Sequence, residues 1–329
     1  MADFTFTTGN ALTRKAWAKK WMMEAKTESY FYENGFVGAS EDNIIIDYPD
    51  LEKEQGDVIT VGQIRELSGA GVANDGQMED HEEAPDTYDD AITLTQIRNA
   101  VRLGGRETEM RPSDNGIREK VKDLLRRWMA AKIDQDIFTA LGSSCTKIIY
   151  GGDATATTDI EAGDYMTLSL ISKAVTYAKK AQPKIIGPNV KGKAMAGVIV
   201  MSPDQALDLS ERDAAWAQAQ REAQKRGGDN PIFTGANGIH KNCAIHDHTR
   251  VALATTWGSG VDLNGAQALY LGIGAGLIAY SKKKIWEEKT FDYQNKTGFC
   301  VGSIYGVTKL VLNGADNGVV GVSTYRSNN

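Results

Sequence analysis

Apolar and polar positions follow three different rhythms along this chain, and the changes between them divide it. Residues 11–28, "ALTRKAWAKKWMMEAKTE", keep a helical period. Trp17 and Trp21 stand four apart and share a face, while Arg14, Lys15, Lys19, Lys20 and Lys26 make the rest basic. A strand is expected at 57–67, "DVITVGQIREL", and another at 91–105, "AITLTQIRNAVRLGG", where Ile92 and Leu94 alternate with threonines. Between them, residues 68–90 carry Asp75, Glu79, Asp80, Glu82, Glu83, Asp86, Asp89 and Asp90 with no Lys or Arg. Such a stretch cannot build a core. The two strands and this acidic tip predict a long hairpin, which is marginal in water unless it lies on something else.

The helical rhythm returns, more strongly, at 114–141, with Ser113 or Asp114 to cap it and Gly142 to end it. Ile117, Val121, Leu124, Trp128, Ile133, Ile137 and Leu141 mark its apolar face. At 1.5 Å per residue this helix would run about 40 Å, long for a globular domain, and it reads as a spine. From about residue 164 the pattern becomes mixed. An amphipathic helix at 165–181 is followed by a buried strand at 194–202. Ser202 and Pro203 then open a further helix, residues 213–226 read as another, and 243–254 read as a strand. The remainder, from "ALYLGIGAGLIAYS" to "GVVGVSTYR", is rich in strands expected to pack back on the spine.

Composition narrows the function classes. The chain has 329 residues, 41% hydrophobic and 24% charged, enough for one large or two interlocked domains. A formal charge of −6 disfavours a protein that grips nucleic acid over its whole surface. Cys145, Cys243 and Cys300 are odd in number and widely spaced, which fits a reducing cytoplasm and no disulfide framework. No signal-peptide pattern and no apolar run of membrane-spanning length is visible, so no membrane partner is expected.

Candidate chemistry is sparse. Three of the four histidines, His240, His246 and His248, fall within nine residues. On a strand His246 and His248 would share a face and offer two ligands to a metal, with His240 as a third for a metal-dependent hydrolase. The plainer reading is a solvent-facing strand edge, and no metal or other cofactor is expected. "GIGAG" at 272–276 is followed by a β-like segment, so it reads as close packing and not as a nucleotide loop. No G-x-S-x-G nucleophile elbow occurs, and Lys282, Lys283 and Lys284 read as a solvated turn. No catalytic residue is singled out, and the chain reads as a non-enzyme.

The order of parts resembles the HK97-type fold of tailed-phage major capsid proteins, an α+β fold. Local stretches are similar to the N4-like family of these proteins: residues 100–138, residues 198–238 with Pro203, Gln205, Asp208, Leu209, Trp216 and "NPIFTGANG" from Asn230 to Gly238, and "IHDHTRV" at 245–251. The resemblance implies an N-terminal arm (1–56), an extended β-hairpin or E-loop with an acidic tip (57–105), a P-domain with the spine helix (106–163), an A-domain (164–254) and a β-rich return to the P-domain (255–329). It implies self-assembly as pentamers and hexamers into an icosahedral virion shell, built in the host cytoplasm around non-specifically held double-stranded DNA. Portal, scaffold or decoration proteins would be further partners. Intersubunit contacts would fall on Arg14, Trp17, Lys19 and Trp21 of the arm and on Val58, Ile59, Ile92 and Leu94 of the hairpin. "AIHDHTRV" would lie near ring-axis contacts or on the surface. An encapsulin-like compartment is the alternative of related architecture, and the histidine-based hydrolase the alternative of a different class.

Overall fold

The computed structural model describes residues 28–48, 58–64, 67, 69–74, 76–85, 87–105, 117–182, 184–190, 193–218, 238–312 and 314–327. The first described elements are α1 (Tyr30–Glu33), β1 (Val37–Gly38), β2 (Ile45–Tyr48), β3 (Val58–Ile64), β4 (Thr87–Thr93) and β5 (Thr95–Arg102). The spine helix α2 (Ile117–Gly142) follows, then β6 (Ile148–Tyr150), α3 (Leu168–Lys180), β7 (Asn189–Val190), β8 (Lys193–Ala194), β9 (Gly197–Met201) and α4 (Pro203–Arg212). The rest is strand: β10 (Gly238–His240), β11 (Cys243–Asp247), β12 (Ala252–Trp257), β13 (Leu263–Leu271), β14 (Gly276–Phe291), β15 (Lys296–Lys309), β16 (Val311–Leu312), β17 (Ala315–Asp316) and β18 (Val319–Tyr325).

Two sheets carry the fold. A five-stranded sheet runs β1-β2-β14-β15-β5, and a larger one runs β10-β11-β9-β13-β18-β6 with β12 paired to β13. The spine helix is shared between them. Its Val121, Leu125, Met129, Ile133, Ile137 and Leu141 are buried in one core with Ile278, Trp286, Phe299 and Val301 of the first sheet and Val198, Val200, Leu269 and Val319 of the second. The other face of the larger sheet, with Ile199, Met201, Cys243, Ile245 and Tyr270, is covered by Leu170, Ile171, Ala174 and Val175 of α3 and by Leu209 and Trp216. A strand covered on both sides must be apolar at every position, as β9 is throughout.

Several expectations are corrected. The buried stripe of the spine helix steps by four, through Leu125; Leu124 is 61% exposed. At about 100° per residue, a step of four advances the stripe by about 40°, so over its length it turns around the helix and presents a face wide enough for both sheets. A single fixed face does not capture that. The helix includes Gly142, and the left-handed residue after it is Ser144 at φ 44°. The strand expected over 91–105 begins at Thr87 and breaks at Leu94. Its first part pairs with β3, and its second part joins the five-stranded sheet through β15. Strands β13 and β18 pack back on the spine as expected, through Leu269, Leu271 and Val319, but from the larger sheet and not the first. They pair with each other, and β13 with β9, in the second. "GIGAG" is the turn between β13 and β14, and a Cβ at Gly276 would stand 2.9 Å from Leu141 Cδ2, so the helix end and the strand meet at close range.

The motif over 203–209 has a structural use. Ser202 Oγ accepts from Gln205 N at 3.2 Å and Ser202 N donates to Gln205 Oε1 at 3.0 Å, a closed capping box on α4. The fully buried Gln205 amide also donates to Ala266 O and Thr324 Oγ1, at 2.9 and 2.7 Å, and so pins the helix to β13 and β18. Asp208, 1% exposed, accepts from Ser327 N at 3.1 Å and Ser327 Oγ at 2.5 Å. The winding stripe generates a paired expectation for the free subunit. Leu125→Ala should cost about 2–5 kcal/mol through the cavity it leaves, whereas Leu124→Ala should stay within about 0.5 kcal/mol. Urea unfolding of the two variants measures the difference, and equal losses would contradict the winding stripe.

Candidate assembly interface

The chain entering the described region is fastened to the spine helix before it reaches any sheet. Glu28 pairs with Arg126 at 2.5 Å. Asp134, 2% exposed on the helix, accepts from Ser29 Oγ at 2.5 Å and from Tyr30 N at 2.9 Å, and Arg250 Nη1 stands 3.5 Å away. A carboxylate this buried is tolerated because three donors from two separate segments converge on it. Phe31 then seats fully in the core. Arg14, Trp17, Lys19 and Trp21 lie outside the described residues, but the root to which their segment is tied is fixed. The sequence signal for this clamp is Asp134 itself, a carboxylate beside Ile133 inside an apolar stripe.

A projecting element of the described chain is the β3–β4 hairpin. Its register runs from Val58↔Thr93 at the root to Ile64↔Thr87 at the far end. The root is bound to its own subunit. Ile92 is fully buried with Leu277, Ala279 and Leu310, and Ile59, Val61 and Leu94 pack against them half-buried. Asp90 Oδ2 accepts from Val311 N at 2.8 Å. A Cβ at Gly306 would stand 2.7 Å from Ile92 Cγ2, so the hairpin lies directly on the sheet there. Ile92 therefore has no surface left for a neighbour. Val58, 52% exposed, has. Further out the apolar side chains point into solvent, with Ile64 74%, Leu67 65% and Met78 55% exposed. Every described residue from 67 to 85 is exposed.

The histidines do not form one site. His240 pairs with Cys243, faces α3, and stands 2.9 Å from Ser172 Oγ. His246 is only 7% exposed and turns to the opposite side of the sheet, where its ring meets Tyr30 at 6.1 Å and Phe36 at 5.6 Å. His248 stacks on Phe138 at 4.9 Å and 17°, and lies 4.7 Å from Tyr30. The expected solvent-facing edge is thus corrected: β11 is an inner strand between β10 and β9, and its His246, with His248 just after it, packs into the aromatic cluster around Tyr30. The sheet separates His240 from the other two. Among the described residues no group of three metal-ligating side chains comes together. Burial pushes the Cys243 thiol up to about 12 and Cys145 up to about 11, which keeps both protonated and poorly nucleophilic near neutral pH.

An exposed apolar hairpin held on a rigid root, and an entering chain clamped to a spine shared by two sheets, are features of a structural subunit. The comparisons name the family. The family described as phage capsid protein matches residues 5–144 and 137–328, and the chain belongs to it. It is 26% identical to the "Major capsid protein" of Pseudomonas phage KPP25, over 90% of this chain and 89% of that one. The capsid of Ralstonia phage GP4 superposes with a TM-score of 0.79 at 29% identity, covering 91% and 92% of the two chains. The Cyanophage Pam1 capsid asymmetric unit gives 0.77 at 21% identity over 100% of both, which speaks to the fold alone. The fold is accordingly that of HK97-like phage capsid subunits.

His248 yields a pH expectation. Burial, then the Arg250 charge, lowers its pKa below the ordinary histidine value, against the opposing pull of Asp134 and Asp247. Its Nδ1 accepts from Arg250 N at 3.2 Å, which requires that nitrogen to be unprotonated. The unfolded chain binds this proton at higher pH than the folded one. Stability is therefore greatest above the ordinary histidine range, near pH 6.5, and falls as pH drops below it. Thermal midpoints of the free subunit across pH 5–8 should fall toward acid, and His248→Gln should flatten that slope. An unchanged slope in the variant would show that another group is responsible.

Proposed function

We propose that this chain is a major capsid protein, the shell subunit of a tailed phage, and that its activity is self-association. The observation that carries the reading is the hairpin: a root locked to its own sheet and a far end whose apolar residues are left in water. A single subunit gains nothing from holding Ile64, Leu67 and Met78 exposed; a neighbour that covers them does. Residues 57–105 act as the E-loop and 1–56 as the arm that crosses another neighbour. Residues 106–163 with β14 and β15 serve as the P-domain, and 164–254 with β13 and β18 as the A-domain. Pentamers and hexamers of one chain need slightly different contacts at the same surfaces, and projecting elements absorb that difference. The shell would be icosahedral and would enclose double-stranded DNA held without sequence preference, which suits an acidic subunit. Assembly would take place in the host cytoplasm, with a portal protein and, where used, scaffold or decoration proteins.

The chain expressed alone should give hollow megadalton particles by sedimentation and negative-stain microscopy. A discrete small oligomer at all concentrations would overturn the reading. The hairpin's role has its own measurement. Residues 68–90 hold eight carboxylates, and an isolated subunit has little apolar burial there to offset the entropy of fixing them. Limited proteolysis read by mass spectrometry should cut free subunits within 68–90 far faster than particles. Equal rates would mean that the hairpin is not an intersubunit element.

A further inference from the structure

The turn after β11 meets the entering chain and the spine helix at one point. Its backbone is fixed by three bonds: His248 N donates to Met201 O at 2.9 Å, Val251 N to His248 O at 3.4 Å, and Arg250 N to His248 Nδ1 at 3.2 Å. From this turn the His248 ring reaches Phe138 of α2 and Tyr30 of α1, and Arg250 reaches Asp134. Asp134 in turn accepts from Ser29 Oγ and Tyr30 N. Tyr30 is therefore held from two sides: a carboxylate takes its backbone and an imidazole packs on its ring. The Tyr30 hydroxyl is enclosed and has no hydrogen-bond partner among the described residues. An enclosed donor without an acceptor is a penalty that the two holding contacts must offset. Loss of either contact leaves it uncompensated.

A proton on His248 acts on this seat in three ways. It removes the acceptor of Arg250 N. It sets a second cation against the Arg250 guanidinium, which shares the Asp134 carboxylate. It also puts charge into a half-buried ring among Tyr30 and Phe138. Several groups oppose these effects. Asp134 on the helix and Asp247 on the turn attract the cation, and the ring faces of Tyr30 and Phe138 do so weakly. His246, on the preceding strand, is the other titratable ring against Tyr30. Glu28 and Arg126, farther along the helix, pair with each other. Burial and Arg250 outweigh the attraction, so the folded chain binds this proton less readily than the unfolded one. The seat is accordingly strongest above the ordinary histidine range and weakens as pH falls below it. Its loosening stays local, because Phe31 and Phe36 are buried in the core on their own account.

We propose that His248 and Asp134 form a pH-sensitive latch on the entering chain: with His248 neutral the latch holds Ser29 and Tyr30 against the spine helix, and protonation frees them together with the 248–250 turn while Phe31 and Phe36 stay in the core. The Glu28–Arg126 pair, partly exposed, is too weak to hold the segment by itself. The direction in which the chain leaves the spine before residue 29 is therefore set at neutral pH and released in acid. The latch belongs to the single subunit and does not depend on the shell reading.

Amide hydrogen exchange on the full-length free subunit tests it, because the latch holds two particular amides: Tyr30 N on Asp134 and Arg250 N on His248. After correction for the intrinsic pH dependence of exchange, their protection should fall at least tenfold between about pH 7.5 and about pH 5.5, across the ordinary histidine range. The amides of β9 and β13 should keep theirs. His248→Gln, whose side-chain oxygen can still accept from Arg250 N, should remove the pH step. Unchanged protection of the two amides in acid overturns the proposal. So does a loss that β9 and β13 share, which would be global unfolding and no latch. A step that survives His248→Gln would assign the titration to His246 or a carboxylate and overturn it equally. If His248→Gln does not fold, Arg250→Gln replaces it. That variant removes one cation facing the imidazole and should shrink the step, and a step of wild-type size would contradict the latch.

Discussion

Everything in this subunit is referred to one buried stripe on one helix. Val121, Leu125, Met129, Ile133, Ile137 and Leu141 step by four along the spine and meet both sheets. Because the stripe winds, no single sheet can cover it, and each sheet needs the helix to bury its own inner face. The two layers are therefore not separable units joined by a linker. They are two halves of one core that share their central element, and the arm root joins that core through Phe31 and Phe36. Asp134 stands beside the same stripe, so the helix that organises the interior also sets where the arm leaves it.

That arrangement makes the hairpin rigid at its root and exposed at its far end. Ile92 anchors the hairpin as fully as any core residue, while Ile64, five residue pairs further along, is 74% exposed. A loop flexible throughout would lose much of its binding energy to ordering on each contact. A loop fixed at its base and free at its end gives up less, because only the outer part must be ordered. The same reasoning covers the acidic tip. Its carboxylates repel one another, which adds to the cost of ordering it in a lone subunit.

The parts legible in the sequence were those set by local rules. The spine helix, the α4 start at Ser202–Pro203 and the buried β9 follow from periodicity and capping, which neighbouring residues determine by themselves. The parts that were not legible depend on partners far along the chain. Leu124 and Leu125 are equivalent in hydrophobicity, and only the winding contact with two sheets decides that Leu125 is buried. Thr93-Leu94-Thr95 shows no breaker, yet the strand divides there because β3 claims one half and β15 the other. Leu263–Leu271 and Val319–Tyr325 have the composition of any buried strand, and the sheet they join is a tertiary choice. His246 and His248 looked polar and exposed because histidine usually is. In the fold they are neighbours of Tyr30, Phe36 and Phe138, aromatic residues more than a hundred positions away.

The candidate interface was legible in kind and not in detail. Val58, Ile59, Ile92 and Leu94 belong to the right hairpin, but alternation alone cannot say which face its own sheet has already taken. Once Ile92, Leu94 and Ile59 are assigned inward, what remains for a neighbour is Val58, the far apolar residues and the charge of the tip. Each of these contacts is weak alone, since exposed ion pairs contribute at most about 1 kcal/mol. A closed shell does not need them to be strong. Once a subunit is held by one neighbour, its remaining contacts form at high effective concentration, and modest pairs add up to a stable particle. Weak contacts also let a misplaced subunit leave, so the surface that closes a shell is better built from many screened charges and a few exposed apolar residues than from one tight patch.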